Sequence, residues 1–150
     1  METTKYFYAA YSEARTRLSI NINTLIAEDL KKTLQPSPNS IGFLMRHIGD
    51  VELLFSKNVF YDKSVEVKAQ TVIDQKDSGV WINLLELNEY LTYSFETLLS
   101  AIAQQDDESW DEQVVTKEFG SKTKAEAFGR IISHTAYHAG QIALILKYGK

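Results

Sequence analysis

Apolar residues recur at three- and four-residue steps in four stretches of this chain, the period of an α-helix with one buried face. The first stretch runs from about Lys5 to Leu30 and carries Phe7, Tyr11, Ala14, Leu18, Ile22 and Leu25. The second runs from about Pro38 to Phe60, with Leu44, Ile48, Val51 and Phe55 on its buried face. Ser37 is its predicted N-cap, with Pro38 at the first helical position, where a missing N–H costs nothing. The third, from about Val80 to Gln104, has a stripe of Leu84, Leu91, Phe95, Leu98 and Ile102, interrupted by the polar Asn88. It is expected to end before Asp106-Asp107-Glu108, because negative charge is unfavourable at a helix C-terminus. The fourth opens at Thr123-Lys124-Ala125-Glu126, which reads as a capping box, and runs to Lys147 with Gly149 as the stop.

The connections complete the pattern. The only two prolines, Pro36 and Pro38, break the chain after the first helix. The polar segment from Asp62 to Gly79 is long for a bundle link and is expected to be a crossover; its Val65-Glu66-Val67 alternation is not read as a strand. The linker from Asp106 to Lys122 is polar apart from Trp110, Val114, Val115 and Phe119. No internal repeat is visible. The expected architecture is one domain over residues 1–150, all-α, a four-helix bundle with a long connection between helices 2 and 3.

Composition narrows the function classes. The 150 residues include no cysteine, which removes disulfides, a cysteine nucleophile and thiolate metal sites. The net charge is −4, with lysines and arginines scattered, so no basic stripe suits nucleic acid or a membrane surface. No apolar run approaches the roughly 20 residues needed to cross a bilayer, and the first residues, Met1 to Lys5, do not read as a secretory signal. The expected location is the cytoplasm.

All three histidines fall on predicted helices. His134 and His138 are four apart on the fourth, so both side chains leave one face with Cβ atoms roughly 6 Å apart. Their stripe also holds Ala127, Ile131, Gln141 and Ile145; His47 sits in a comparable stripe with Leu44, Val51 and Leu54. Two imidazoles at that spacing can grip one ion at about 2.0–2.1 Å each if it is zinc. On spacing alone, metal binding and a hydrogen-bonded structural role both stay open. Other constellations fail. The di-iron Glu-x-x-His motif is missing, since Ile131, Thr135 and Leu44 precede the histidines by three. The His-Glu-x-x-His protease motif, a phosphate-binding glycine loop and a Gly-x-Ser-x-Gly elbow are missing too.

Candidate helpers are Asp50, one turn beyond His47, as an orienting carboxylate or base, and Gln141, one turn beyond His138, as a hydrogen-bond partner of a ligand or a histidine. Asn88 is a candidate cavity residue, Arg15 and Arg130 are candidate receptors for an anion, and Tyr8, Tyr11, Tyr90 and Tyr93 candidate pocket or interface residues. For each, ordinary packing or solvation is the competing explanation.

His-Ile-Gly-Asp on the second helix and His134-Thr-Ala-Tyr-His138-Ala-Gly140-Gln141-Ile near the C-terminus resemble the DinB/YfiT-like family of metal-binding helical proteins, over essentially the full chain. The resemblance implies a bundle in which His47, His134 and His138 hold one divalent metal ion, zinc or nickel first, iron or copper as alternatives. It implies a homodimer. It also implies a metal-dependent transferase acting on a small molecule with a low-molecular-weight thiol, since some members are thiol S-transferases and one is a thiol-dependent isomerase. A hydrolase using metal-bound hydroxide and a non-catalytic metal-binding stress protein are the alternatives. Ala139 departs from relatives that often carry Arg after the second histidine.

Overall fold

The computed structural model describes residues 2–150. Helix α1 spans Glu2–Ile22, α2 Ile41–Asn58, the short α3 Gln70–Asp74, α4 Leu84–Ala103 and α5 Lys124–Tyr148. The α2 helix packs against α4 and α5, and α1 against α5 and α4. Two adjoining clusters fill the space between them. One gathers Leu18, Leu30, Ile41, Met45, Ile48 and Ile142. The other gathers Tyr11, Phe55, Leu98, Trp110, Phe128 and Ile131. Each fully buried leucine or isoleucine contributes roughly 1.5–3 kcal/mol, which outweighs the modest helix propensity of the β-branched residues. No helix of the described residues is long and apolar enough to cross a membrane.

The structure departs from the sequence expectation at three boundaries, each for a local reason. The α1 helix stops at Ile22, and Leu25 and Leu30 are buried instead from a turn and a 3₁₀ helix over Ala27–Lys31. There the Thr24 hydroxyl donates to the Asn21 carbonyl at 2.8 Å and Asp29 accepts from the Ile26 N–H at 3.0 Å. Such side-chain bonds offer the backbone an alternative to helix. The α2 helix begins at Ile41, not Pro38: Ser40 is the N-cap, its hydroxyl accepting from the Phe43 N–H at 3.2 Å. Asp77, from the long connection, holds Ser40 in place by accepting from its N–H at 2.9 Å and its hydroxyl at 2.6 Å. The α4 helix begins at Leu84, where the Asn83 side chain accepts from the Glu86 N–H.

The chain is mainly helical, as expected, with one short hairpin not predicted from the sequence. The linker after α4 forms a 3₁₀ helix over Asp107–Asp111 and then a hairpin of β1 (Gln113–Thr116) and β2 (Gly120–Thr123). The strands are antiparallel, with Val114 opposite Lys122 and Val115 opposite Ser121. Val114 is buried and Val115 is not, the two-residue alternation of a strand with one covered face. Gly120 supplies the positive φ, +71°, that closes the turn. The expected capping box does open α5: Thr123 Oγ1 accepts from the Glu126 N–H, and Glu126 accepts from the Thr123 N–H. The helix stops before Gly149, which is extended and sits where a Cβ would meet the Ile145 carbonyl at 2.5 Å, so only glycine fits there.

Candidate metal centre and its groove

The α2 and α5 helices bring His47, His134 and His138 together. Their ring centroids are 4.4–5.0 Å apart. One ring nitrogen from each lies within 4.8 Å of the others, and His47 Nε2 stands 3.0 Å from His134 Nε2. A tetrahedral ion with 2.0–2.1 Å bonds needs nitrogens roughly 3.3 Å apart, so the cluster has the size of one such ion. Phe43 lies parallel to the His47 ring at 5.9 Å, and Tyr137 meets His138 edge-on at 5.1 Å.

Hydrogen bonds fix two of the three tautomers. Thr71 Oγ1 gives its proton to Asp50 Oδ2 at 2.7 Å, so it can only accept from His47 Nδ1, 3.1 Å away. Gln141 Oε1, an acceptor, is 2.6 Å from His138 Nδ1. Both rings therefore carry their proton on Nδ1 and leave Nε2 unprotonated, the form a metal requires, and without an ion His47 Nε2 accepts from His134 Nε2. His134 Nδ1 is buried without a partner. Burial, followed by mutual repulsion with the neighbouring rings, lowers His47 to a pKa of about 4 and His134 to about 3. Burial also lowers His138. All three are thus neutral at physiological pH. Three neutral imidazoles at this spacing fit a divalent zinc-like ion, with room for a further ligand.

Asp50 is fully buried. Its Oδ1 accepts from Arg46 Nε at 2.9 Å and the Tyr90 hydroxyl at 2.6 Å; its Oδ2 accepts from the Thr71 N–H and hydroxyl. It therefore touches His47 only through Thr71. Thr71 belongs to α3, whose flanking residues Ala69 and Gln75 both have positive φ. Nothing in the sequence marks Thr71, because its role depends on where a long connection folds back.

The remaining candidates are dispersed. Arg15 is buried and pairs with Glu52 on α2: Nε donates to Oε1 at 2.6 Å and Nη2 to Oε2 at 3.2 Å and to the Leu91 carbonyl at 2.8 Å. The Tyr11 and Ser94 hydroxyls also donate to Glu52. Arg15 is thus committed to an internal pair. Asn88 is half-buried in a different groove with Arg15, and its Oδ1 has no partner. Tyr90 serves Asp50, while Tyr8 and Tyr93 are exposed. Ala139 is buried in the core.

Arg130 does border one of the histidines, His134. A groove of about 750 Å³ is lined by His134 and Arg130 on α5, with Val51, Phe55, Glu118 and Tyr137 around them. Arg130 meets Glu118 of the hairpin turn at 3.1 Å. Glu118 and Phe55 also line the adjoining hollow beneath the hairpin. Glu52, Thr71 and Glu118 were all without a sequence signal.

The model of the DinB superfamily matches residues 10–142, a span that takes in all three histidines. No curated protein matches the chain. The chain belongs to the DinB superfamily.

Proposed function

We propose that this DinB-superfamily protein is a metal-dependent transferase: His47, His134 and His138 hold one divalent ion, zinc or nickel, and a low-molecular-weight thiol reacts beside it with a small electrophile. The observation that supports this most is the convergence of three neutral imidazoles, one of which, His134, lines an open groove. A sealed site would suit a structural ion; an open one suits exchangeable ligands. A divalent ion held there supplies Lewis acidity, stabilising the deprotonated form of a thiol or water.

The chain's own residues divide the remaining work. Thr71, backed by Asp50, holds His47 with its proton on Nδ1, and Gln141 does the same for His138. Asp50 has both oxygens occupied by donors, so it acts as a positioning residue and not as a base at the groove. Burial of the rings keeps protons from competing with the ion. The absence of cysteine means that the thiol comes from a co-substrate. In this reading the chain is a single four-helix-bundle domain, cytoplasmic and, by likeness to its family, a homodimer; its partners are small molecules.

The test is conjugation of small thiols to an activated electrophile, with and without a chelator. Turnover that falls on chelation and returns with zinc or nickel is expected. A rate indifferent to the chelator contradicts the proposal.

A further inference from the structure

The groove beside His134 holds one anchored cation. Arg130 and His134 are four residues apart on α5, so both side chains leave the same helical face, with Cβ atoms roughly 6 Å apart. The floor between them is apolar, from Val51 and Phe55. Arg130 has a single contact to Glu118, 3.1 Å from Nη2 to Oε1, and the two side chains are 45% and 55% exposed. A one-point pair at that exposure is weak and exchangeable. A guanidinium prefers a carboxylate that takes two of its N–H groups in parallel.

The partners of this pair are not equivalent. Arg130 rises from the second turn of α5, and its guanidinium also lies over the Phe119 ring at 5.6 Å. Glu118 sits in the turn between the strands and can swing into solvent. The other acid of the groove, Glu126, is occupied by the Thr123 N–H in the capping box. A ligand entering the groove therefore meets a fixed positive charge, a removable negative one at Glu118 and a second carboxylate, Glu126, held in the capping box.

We infer that Arg130 is a carboxylate subsite, so that the small substrate carries a carboxylate and an apolar body that lies on Val51 and Phe55. This deepens the metal-centre proposal and rests on it for the meaning of the reacting end. Binding by Arg130 itself is measurable without turnover.

Three probes of one size separate the possibilities: phenylpropionate, phenylpropanol and phenylpropylamine, titrated into the zinc-loaded and the metal-free protein and followed by backbone-amide NMR shifts along α5. The carboxylate should bind about tenfold tighter than the alcohol in both forms. R130Q should erase that preference, and E118Q should tighten carboxylate binding a few-fold. Both sites are exposed, and a melting curve checks that each variant folds. Equal affinities, a preference for the amine, no binding by any probe, or a carboxylate preference that survives R130Q or vanishes with the metal would overturn the subsite. A protein that binds no zinc yet keeps the Arg130-dependent preference would sink the transferase proposal and leave the subsite standing.

Discussion

Two polar clusters sit side by side on α2 and α5, and they are built in opposite ways. Glu52 lies five residues past His47 on α2, and Thr135 follows His134 on α5. Around Glu52 every group is buried: Tyr11, Ser94 and Thr135 are fully covered and Arg15 is 4% exposed. Its carboxylate receives donors from Arg15, Tyr11 and Ser94, so no lone pair is left for a ligand. Around His47 the rings are only half-buried, His134 borders a groove, and the Nε2 atoms of His47 and His138 carry no proton. The His134 Nδ1 has no partner at all. The saturated cluster is a structural device. The unsaturated one is made to receive something.

The sharpest way to break this comparison is to damage one cluster and read the other. Glu52→Gln leaves the buried Arg15 guanidinium uncompensated and should cost about 3–5 kcal/mol in urea unfolding, while the folded fraction keeps its zinc affinity. His134→Ala should do the reverse, removing metal binding with far less effect on unfolding. If Glu52→Gln proved harmless, the saturated cluster would not be the structural one.

Thr71→Val comes next. It removes the acceptor that fixes the His47 tautomer, so zinc affinity should fall roughly 10–100-fold in a competition assay. Gln141→Ala removes the acceptor on His138 and should lie at the low end of that range, about tenfold. Unchanged affinity in both would mean that the rings need no orientation.

A further effect is expected on acid stability without metal. His47 and His134 have native pKa values lowered to about 4 and about 3, below the unfolded value near 6.5. The unfolded chain therefore takes up protons first as pH falls. Their contribution to stability is complete above pH 6.5 and is lost progressively as pH falls toward about 3. Tm of the metal-free protein should fall across that window, and a His47→Gln, His134→Gln double variant should flatten the slope.

How much of this was legible in the sequence follows the same division. The long helices and the His134–His138 pair were readable because periodicity and i, i+4 spacing are local. So was the capping box at Thr123. The hairpin was hidden because two four-residue strands offer little pattern, although the buried Val114 beside the exposed Val115, and Gly120 ahead, were its trace. Ser40 displaced Ser37 as a cap because Asp77, distant in sequence, holds it. Arg15 read as an anion receptor or a solvated charge, and Glu52 went unmarked, because a buried ion pair between helices has no local signature. Thr71 reaches His47 only once the 62–79 connection folds over α2. Local order was visible; contacts across long separations were not.

The central claim, that His47, His134 and His138 hold a metal, is tested most directly by titrating zinc into the metal-free protein and into His138→Ala, with elemental analysis of each. One equivalent bound tightly by the wild type and lost by the variant is the predicted result. No binding, or the same stoichiometry and affinity in both, would contradict it.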